Sequence, residues 1–213
     1  MLRRAIDRAL EIPAVYSVNQ FFGQATVRRY RRLLTEEVPC DESTSILDLG
    51  CGTGTTSRVV VGRYSGVDIN PSYIEAAQRH HPKAKFYQMD CSRLGFTDAS
   101  FDLATTIATT HHLNDAELEA MTLEALRVVR PGGAFHLIDA ILPLNRRAFA
   151  KEFFFRMDRG RFPRQLDELV GVVSRRADVV RRRVLIGPLH DVAYLRIVPR
   201  GAIEQASSGA GPR

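Results

Sequence analysis

A chain of 213 residues, 45% hydrophobic and 25% charged, has material for one domain with a sizeable core and falls short of two. No apolar run approaches the ~20 residues that cross a bilayer, and Asp7, Arg8 and Glu11 interrupt the basic N-terminus where a secretory leader needs an apolar stretch. The formal net charge of +6 is uneven: residues 146–200 hold fourteen Arg or Lys against six Asp or Glu, which marks either a partner surface or a solvated arginine-rich face.

Cys40, Cys51 and Cys91 form no CxxC pair, and no Cys/His cluster has metal-ligand spacing. A reduced, cytoplasmic protein without a metal site is the expectation.

The predicted elements begin with a helical lead-in over residues 1–37, where Leu2, Ile6 and Leu10 share a face and Pro13 breaks the pattern. Its Tyr16, Phe21 and Phe22 either pack on the core or form a lid. Its basic amphipathic start also suits contact with a membrane surface. Residues 38–45 are a turn-rich connector.

From there short apolar strands alternate with amphipathic helices. Strands are predicted at Ile46–Leu49, Tyr64–Asp68, Lys85–Gln88, Phe101–Thr106 and Ala134–Ile141, and helices at Thr55–Val61, Pro71–His80 and Asp115–Val129. Asn70 or Ser72 caps the second helix, and Arg130-Pro131-Gly132-Gly133 ends the third. This alternation indicates βαβ units and a mainly parallel sheet. Residues 143–175 read as a helical segment on the substrate side, with helices over 146–157 and 163–174. Residues 179–186 and 191–198 read as an antiparallel strand pair around Gly187-Pro188. The tail 201–213 is small and polar and is expected to be disordered.

The strongest chemical signal is Ile46-Leu47-Asp48-Leu49-Gly50-Cys51-Gly52-Thr53-Gly54. A buried strand enters a turn with glycines at alternate positions, where the backbone takes left-handed conformations or meets a ligand closely. Position 55 is Thr, so the dinucleotide G-x-G-x-x-G pattern is not met. Asp48 beside the turn would repel a pyrophosphate and suits a ligand with a cationic end. Asp68, in Gly66-Val67-Asp68-Ile69-Asn70, ends the second strand where a carboxylate accepts both hydroxyls of a ribose. Three further stretches follow: Met89-Asp90-Cys91-Ser92, then Phe101–Thr106 leading to Thr110-His111-His112-Leu113, then Leu126–Gly133. Asp90 either accepts from an adenine amino group or caps a turn. Cys51 and Cys91 read better as small pocket-lining residues than as nucleophiles.

In this order and spacing, these stretches over residues 45–142 resemble the class I S-adenosylmethionine (SAM)-dependent methyltransferases, especially the broad small-molecule group. The resemblance implies a Rossmann-like three-layer α/β sandwich with a seven-stranded, mainly parallel sheet of order 3-2-1-4-5-7-6 and an antiparallel seventh strand. It implies a SAM-binding domain over residues 38–200 that releases S-adenosylhomocysteine. Asp48 would hold the methionine ammonium, and Gly50, Cys51, Gly52 and Gly54 would line the methionine and ribose. Asp68 would take the ribose, with Ile69 beside the adenine. Asp90 and Cys91 would contact the adenine, and Thr106 or Ile107 the methionine portion. Two departures stand out: the short stretch before Asp68 demands a brief first helix, and Thr105–Thr110 is rich in hydroxyls.

Methyl transfer needs the nucleophile held in line with the sulfur, plus a base if a proton is lost. His111 and His112 are the candidate bases, set against a purely packing role. The expectation is metal-free displacement onto an O, N or C atom of a small-molecule acceptor. RNA or protein methylation competes, motivated by the basic C-terminal third. The lack of an added RNA-binding module, of aromatic-basic interleaving and of an Asn/Asp-Pro-Pro-Tyr motif argues against nucleic acid. A non-catalytic binding protein on the same fold is the alternative outside enzymology, and aminopropyl transfer is a remoter one within it.

Overall fold

Seven strands form one sheet in the order β3-β2-β1-β4-β5-β7-β6. They are β1 (Ser45–Leu49), β2 (Arg63–Asp68), β3 (Lys85–Gln88), β4 (Phe101–Ile107), β5 (Val129–Ile141), β6 (Ala177–Leu185) and β7 (Asp191–Pro199). The computed structural model describes residues 26–143, 161–187 and 190–202. β1 through β5 pair in parallel, and β7 runs antiparallel to both β5 and β6. The expected strand order and the antiparallel seventh strand are both present.

The helices are α1 (residues 26–37), α2 (Pro71–His80), α3 (Asp115–Val128) and α4 (Leu166–Ser174). They cover both faces of the sheet, because parallel strands linked by helical crossovers are apolar on both sides. On one face Leu118, Met121 and Ala125 of α3 and Leu169, Val172 and Val173 of α4 bury Leu47, Leu49, Ala104, Phe135 and Leu137. On the other, Leu33, Leu34 and Val38 pack on Ile46, Leu103, Ile138 and Tyr194. Ile74 and Ala77 of α2 close the β2–β3 end with Tyr64 and Phe86.

Caps fix where the helices start. The Asn70 side chain, not Ser72, accepts from Ser72 N at 3.0 Å, with Pro71 in the first turn. Asn114 accepts from Glu117 N at 3.0 Å while Glu117 accepts from Asn114 N at 2.8 Å. Such reciprocal capping is worth about 1 kcal/mol. It sets the exit of the β4–α3 loop that carries His111.

Several boundaries differ from expectation. The predicted helix Thr55–Val61 is a single 3₁₀ turn, Thr55–Arg58; with β2 starting at Arg63, too few residues remain for an α-helix. α3 ends at Val128, and Val129 already pairs with Phe101, so Arg130–Gly133 lies within β5 across a register shift rather than closing the helix. Helix α4 begins at Leu166 rather than 163, and β6 covers Ala177–Leu185 rather than 179–186. Residues 1–25 of the lead-in, the predicted helix 146–157 and residues 203–213 of the tail lie outside the described residues. No helix among the described residues is long and apolar enough to cross a membrane.

Candidate active site

The carboxyl ends of β1, β2 and β4 meet around the three-glycine turn. Gly50, Gly52 and Gly54 all have positive φ, at 74°, 54° and 78°. Their surroundings differ. A Cβ on Gly50 would strike the Thr109 side chain and one on Gly54 the Phe86 ring, whereas nothing lies within 4 Å of one on Gly52. Gly50 and Gly54 therefore serve close packing, and Gly52 faces open space, where a ligand can lie against bare backbone. The Gly50 and Cys51 amides both donate to Val67 O at 2.9 Å, which ties the turn to β2.

Asp48 is 1% exposed. One carboxylate oxygen accepts from the Tyr64 hydroxyl at 2.5 Å; the other, Oδ1, is buried with no hydrogen-bond partner. Burial pushes its pKa up to about 7, outweighing the hydrogen bonding of the Tyr64 and Thr56 hydroxyls. A buried carboxylate oxygen without a donor is costly, and at a ligand-binding turn it is the acceptor that a bound ammonium would satisfy.

Asp68 accepts from Gly52 N at 2.9 Å with one oxygen and from Asn70 N at 2.8 Å with the other. Each carboxylate oxygen has two acceptor sites, so both retain capacity for a ribose hydroxyl. Ile69 beside it is 67% exposed, an aliphatic surface that a flat ring would cover. These residues fit the cationic, ribose-bearing cofactor that the motifs imply.

Asp90 is exposed, and its Oδ1 accepts from both Ser92 N and Ser92 Oγ. It closes a turn, with its second oxygen left for a ligand. Burial pushes the Cys51 thiol well above its ordinary value and the Cys91 thiol up to about 12. Both stay protonated near neutrality, which suits lining a pocket rather than nucleophilic attack. The Thr106 hydroxyl is buried and donates to Leu49 O at 2.7 Å, pinning β4 to the entry of the turn. Ile107 is half-buried.

The two histidines differ sharply. Both lie on the 3₁₀ turn Thr110–His112, next to Ala108 with its φ of 56°. His112 is exposed, and its ring centroid lies 4.2 Å from that of His111. His111 is 5% exposed, and its Nδ1 lies 2.7 Å from Asp139 Oδ1. Asp139, fully buried near the end of β5, also accepts from Thr110 N, Thr110 Oγ1, His111 N and Ala140 N. Burial raises its pKa, but His111 and these hydrogen bonds outweigh that and leave the carboxyl below its ordinary value. An ionised Asp139 makes Nδ1 of a neutral His111 the protonated nitrogen and leaves the basic lone pair on Nε2.

Sequence reasoning did not single out Asp139, Tyr64 or the role of Arg164. Asp139 carries a legible signal: a lone acid in the apolar run Phe135–Leu142 must find partners once buried. Arg164, within the basic C-terminal third, is spent on structure. It is 8% exposed and donates to Thr110 O, Leu113 O and Asp115 Oδ1 at 3.0, 2.7 and 2.8 Å, bracing the loop that carries His111. Among the described residues no group of three or more His, Cys, Asp or Glu is placed to hold a metal ion.

Residues 46–133 match the family model described as a methyltransferase domain. The 2-methyl-6-phytyl-1,4-hydroquinone methyltransferase of Synechocystis sp. is 36% identical over 45% of this chain and 32% of its own length. The demethylmenaquinone methyltransferase of Paenarthrobacter aurescens is 30% identical over 63% of this chain and 54% of its own. The chain thus spans about a third to a half of the length of these curated relatives. A solved SAM-dependent methyltransferase structure from Methanosarcina mazei superposes with a TM-score of 0.64 at 21% identity, covering 75% of this chain and 94% of that one. In fold the chain is similar to that solved structure, and residues 46–133 are similar in sequence to the methyltransferase-domain family. In sequence the chain is similar to quinone and sterol methyltransferases.

Proposed function

We propose that the chain transfers the methyl group of SAM to a small-molecule acceptor by in-line displacement. The observation that carries this reading is Asp48 Oδ1, a buried acceptor without a donor at a turn whose Gly52 faces open space. When bound, SAM supplies a methyl carbon activated by its sulfonium. Asp48 receives the ammonium, Asp68 the ribose hydroxyls, and Ile69 and Cys91 flank the adenine, with Asp90 offering its second oxygen. Ile107 borders the methionine portion, while Thr106 holds the turn in place.

His111 is the base for an acceptor that loses a proton, accepting it at Nε2. Asp139 positions the ring and stabilises the imidazolium that forms; a positioned base of this kind contributes about a hundredfold or more. His112, exposed beside it, is the lesser candidate. The relatives named for hydroquinone, demethylmenaquinone and sterol acceptors support an apolar, hydroxyl- or ring-bearing acceptor for this chain as well.

Calorimetry with SAM and S-adenosylhomocysteine is the direct test, with Asp68→Ala as control. Micromolar binding that the substitution abolishes supports the reading and opens an acceptor screen beginning with hydroquinones. Absence of binding to a folded chain would overturn it in favour of a methyltransferase-like binding protein.

A further inference from the structure

The open edge of the sheet carries a concentration of positive charge that the site does not use. Within residues 28–37 and 181–186 stand seven arginines, at 28, 29, 31, 32, 181, 182 and 183, against two carboxylates, Glu36 and Glu37. Part of this charge is structural. Glu37, nearly buried, accepts from Arg181 and Arg183, and Glu36 from Arg32 and Arg183, which fastens α1 to β6. Arg28, Arg31 and Arg182 are exposed and pair with no carboxylate among the described residues.

α1 and the end of β6 enclose a cleft lined by Arg28, Arg29, Arg32, Val184, Leu185 and Ile186. Its rim carries bare aliphatic surface: Ile186 is 71% exposed, and Val27, on the first described turn of α1, is 57% exposed. The Arg29 guanidinium lies against Gly187, so that turn of α1 sits beside the end of β6. β6 pairs antiparallel with β7, and β7 with β5. β6 therefore runs parallel to β1 and β4, and Ile186 lies at the carboxyl end of the sheet, as does the three-glycine turn.

We propose that this rim docks the protein on an anionic lipid bilayer. Arg28 and Arg31 would face lipid phosphates, and Ile186 and Val27 would enter the headgroup region. Arginines interspersed with exposed aliphatic tips match an interface of anionic headgroups over hydrocarbon. A nucleic-acid groove would add aromatic side chains on which bases stack, and among the described residues that line the cleft there are none. Docking here turns the carboxyl end of the sheet, which bears the candidate site, toward the membrane, where an apolar acceptor dissolves.

Co-sedimentation of the full chain with vesicles of phosphatidylcholine alone, or with about 30% phosphatidylglycerol, tests this. Binding is expected to require the anionic lipid and to weaken with salt. The pair Arg28→Glu and Arg31→Glu should cut partitioning at least tenfold, on the order of fivefold per lost cation, with melting temperature and SAM affinity unchanged. Ile186→Ser should weaken binding while preserving its salt dependence. Equal binding to both vesicle types, indifference to charge reversal, or preference for a single-stranded RNA probe over anionic vesicles would each overturn the proposal. SAM affinity is read separately, so failure here is distinct from failure of the methyltransferase reading.

Discussion

The Tyr64 hydroxyl donates to the Asp48 carboxylate at 2.5 Å across the β1–β2 pair, leaving Asp48 Oδ1 buried and without a donor. The carboxyl thus sits in the protein with half of its hydrogen bonding supplied and its pKa near 7. A ligand ammonium would supply the other half and favour the ionised form. SAM should therefore bind more tightly as pH rises through about 7, with a proton released on binding below that point. Calorimetry at pH 6 and pH 8 is expected to show roughly tenfold weaker binding at the lower pH. Tyr64→Phe, which removes the Tyr64 hydroxyl from Asp48, should shift that dependence to higher pH. A flat affinity across this window would dissociate Asp48 from the ammonium.

The same burial has a consequence for folding. A carboxyl whose folded pKa lies above its unfolded value of about 4 holds its proton more tightly in the folded state. Its contribution favours folding below pH 4, diminishes as pH rises, and above about 7 is a penalty for burying charge. Asp48→Asn removes the ionisation. Its stability relative to the native chain should accordingly rise between pH 4 and 7, by an amount on the order of 2 kcal/mol. Urea unfolding at pH 5 and pH 8 measures the change, and a constant difference between the two proteins would contradict it.

The sheet was legible in the sequence because its signals are local. Apolar strands such as Ile46–Leu49 and Tyr64–Asp68 end at a glycine or an acid, and helices such as Pro71–His80 begin at a capping Asn. The misplacements fall where chain length or pairing overrides local preference. Thr55–Val61 stands where a crossover helix is due, yet its β-branched residues disfavour one and the next strand begins too soon for more than one turn. Pro131 and the glycines after it spell a helix stop, but pairing with β4 draws Val129–Gly133 into the strand. Within the site, Asp48, Gly52 and Asp68 were readable because one turn joins them. The His111–Asp139 pair was not, since its members lie 28 residues apart and only the alignment of β4 with β5 brings them together.

The three glycines of the turn are expected to respond differently to alanine. Gly52→Ala meets no neighbour, so its cost is that of left-handed backbone on a residue with a Cβ, about 1 kcal/mol. Its methyl group points into open space and should weaken SAM binding at least about tenfold while the fold persists. Gly50→Ala adds a collision 2.5 Å from Thr109 Oγ1, and Gly54→Ala one 2.6 Å from the Phe86 ring. Both should lose roughly 2–4 kcal/mol of stability. Thermal melting set beside SAM calorimetry separates the two classes. A Gly52→Ala protein that binds SAM normally would mean the ligand lies elsewhere.

Asp139 tests the dyad and the loop together. Asp139→Ala strips the partner from His111 and the acceptor from the Thr110 and Ala140 amides, all buried. Leaving such groups unpaired should cost about 3–5 kcal/mol and compromise the fold. Asp139→Asn keeps an acceptor oxygen and the shape of the side chain but not the charge that fixes the His111 tautomer. The expectation is a protein that melts within a few degrees of the native chain and binds SAM normally, yet turns over an acidic acceptor about a hundredfold more slowly. A strong external base, or an acceptor already ionised at the assay pH, should restore much of that rate, because the missing function is proton removal. Slow turnover of ionised and un-ionised acceptors alike would instead show that Asp139 acts only through the structure of the loop.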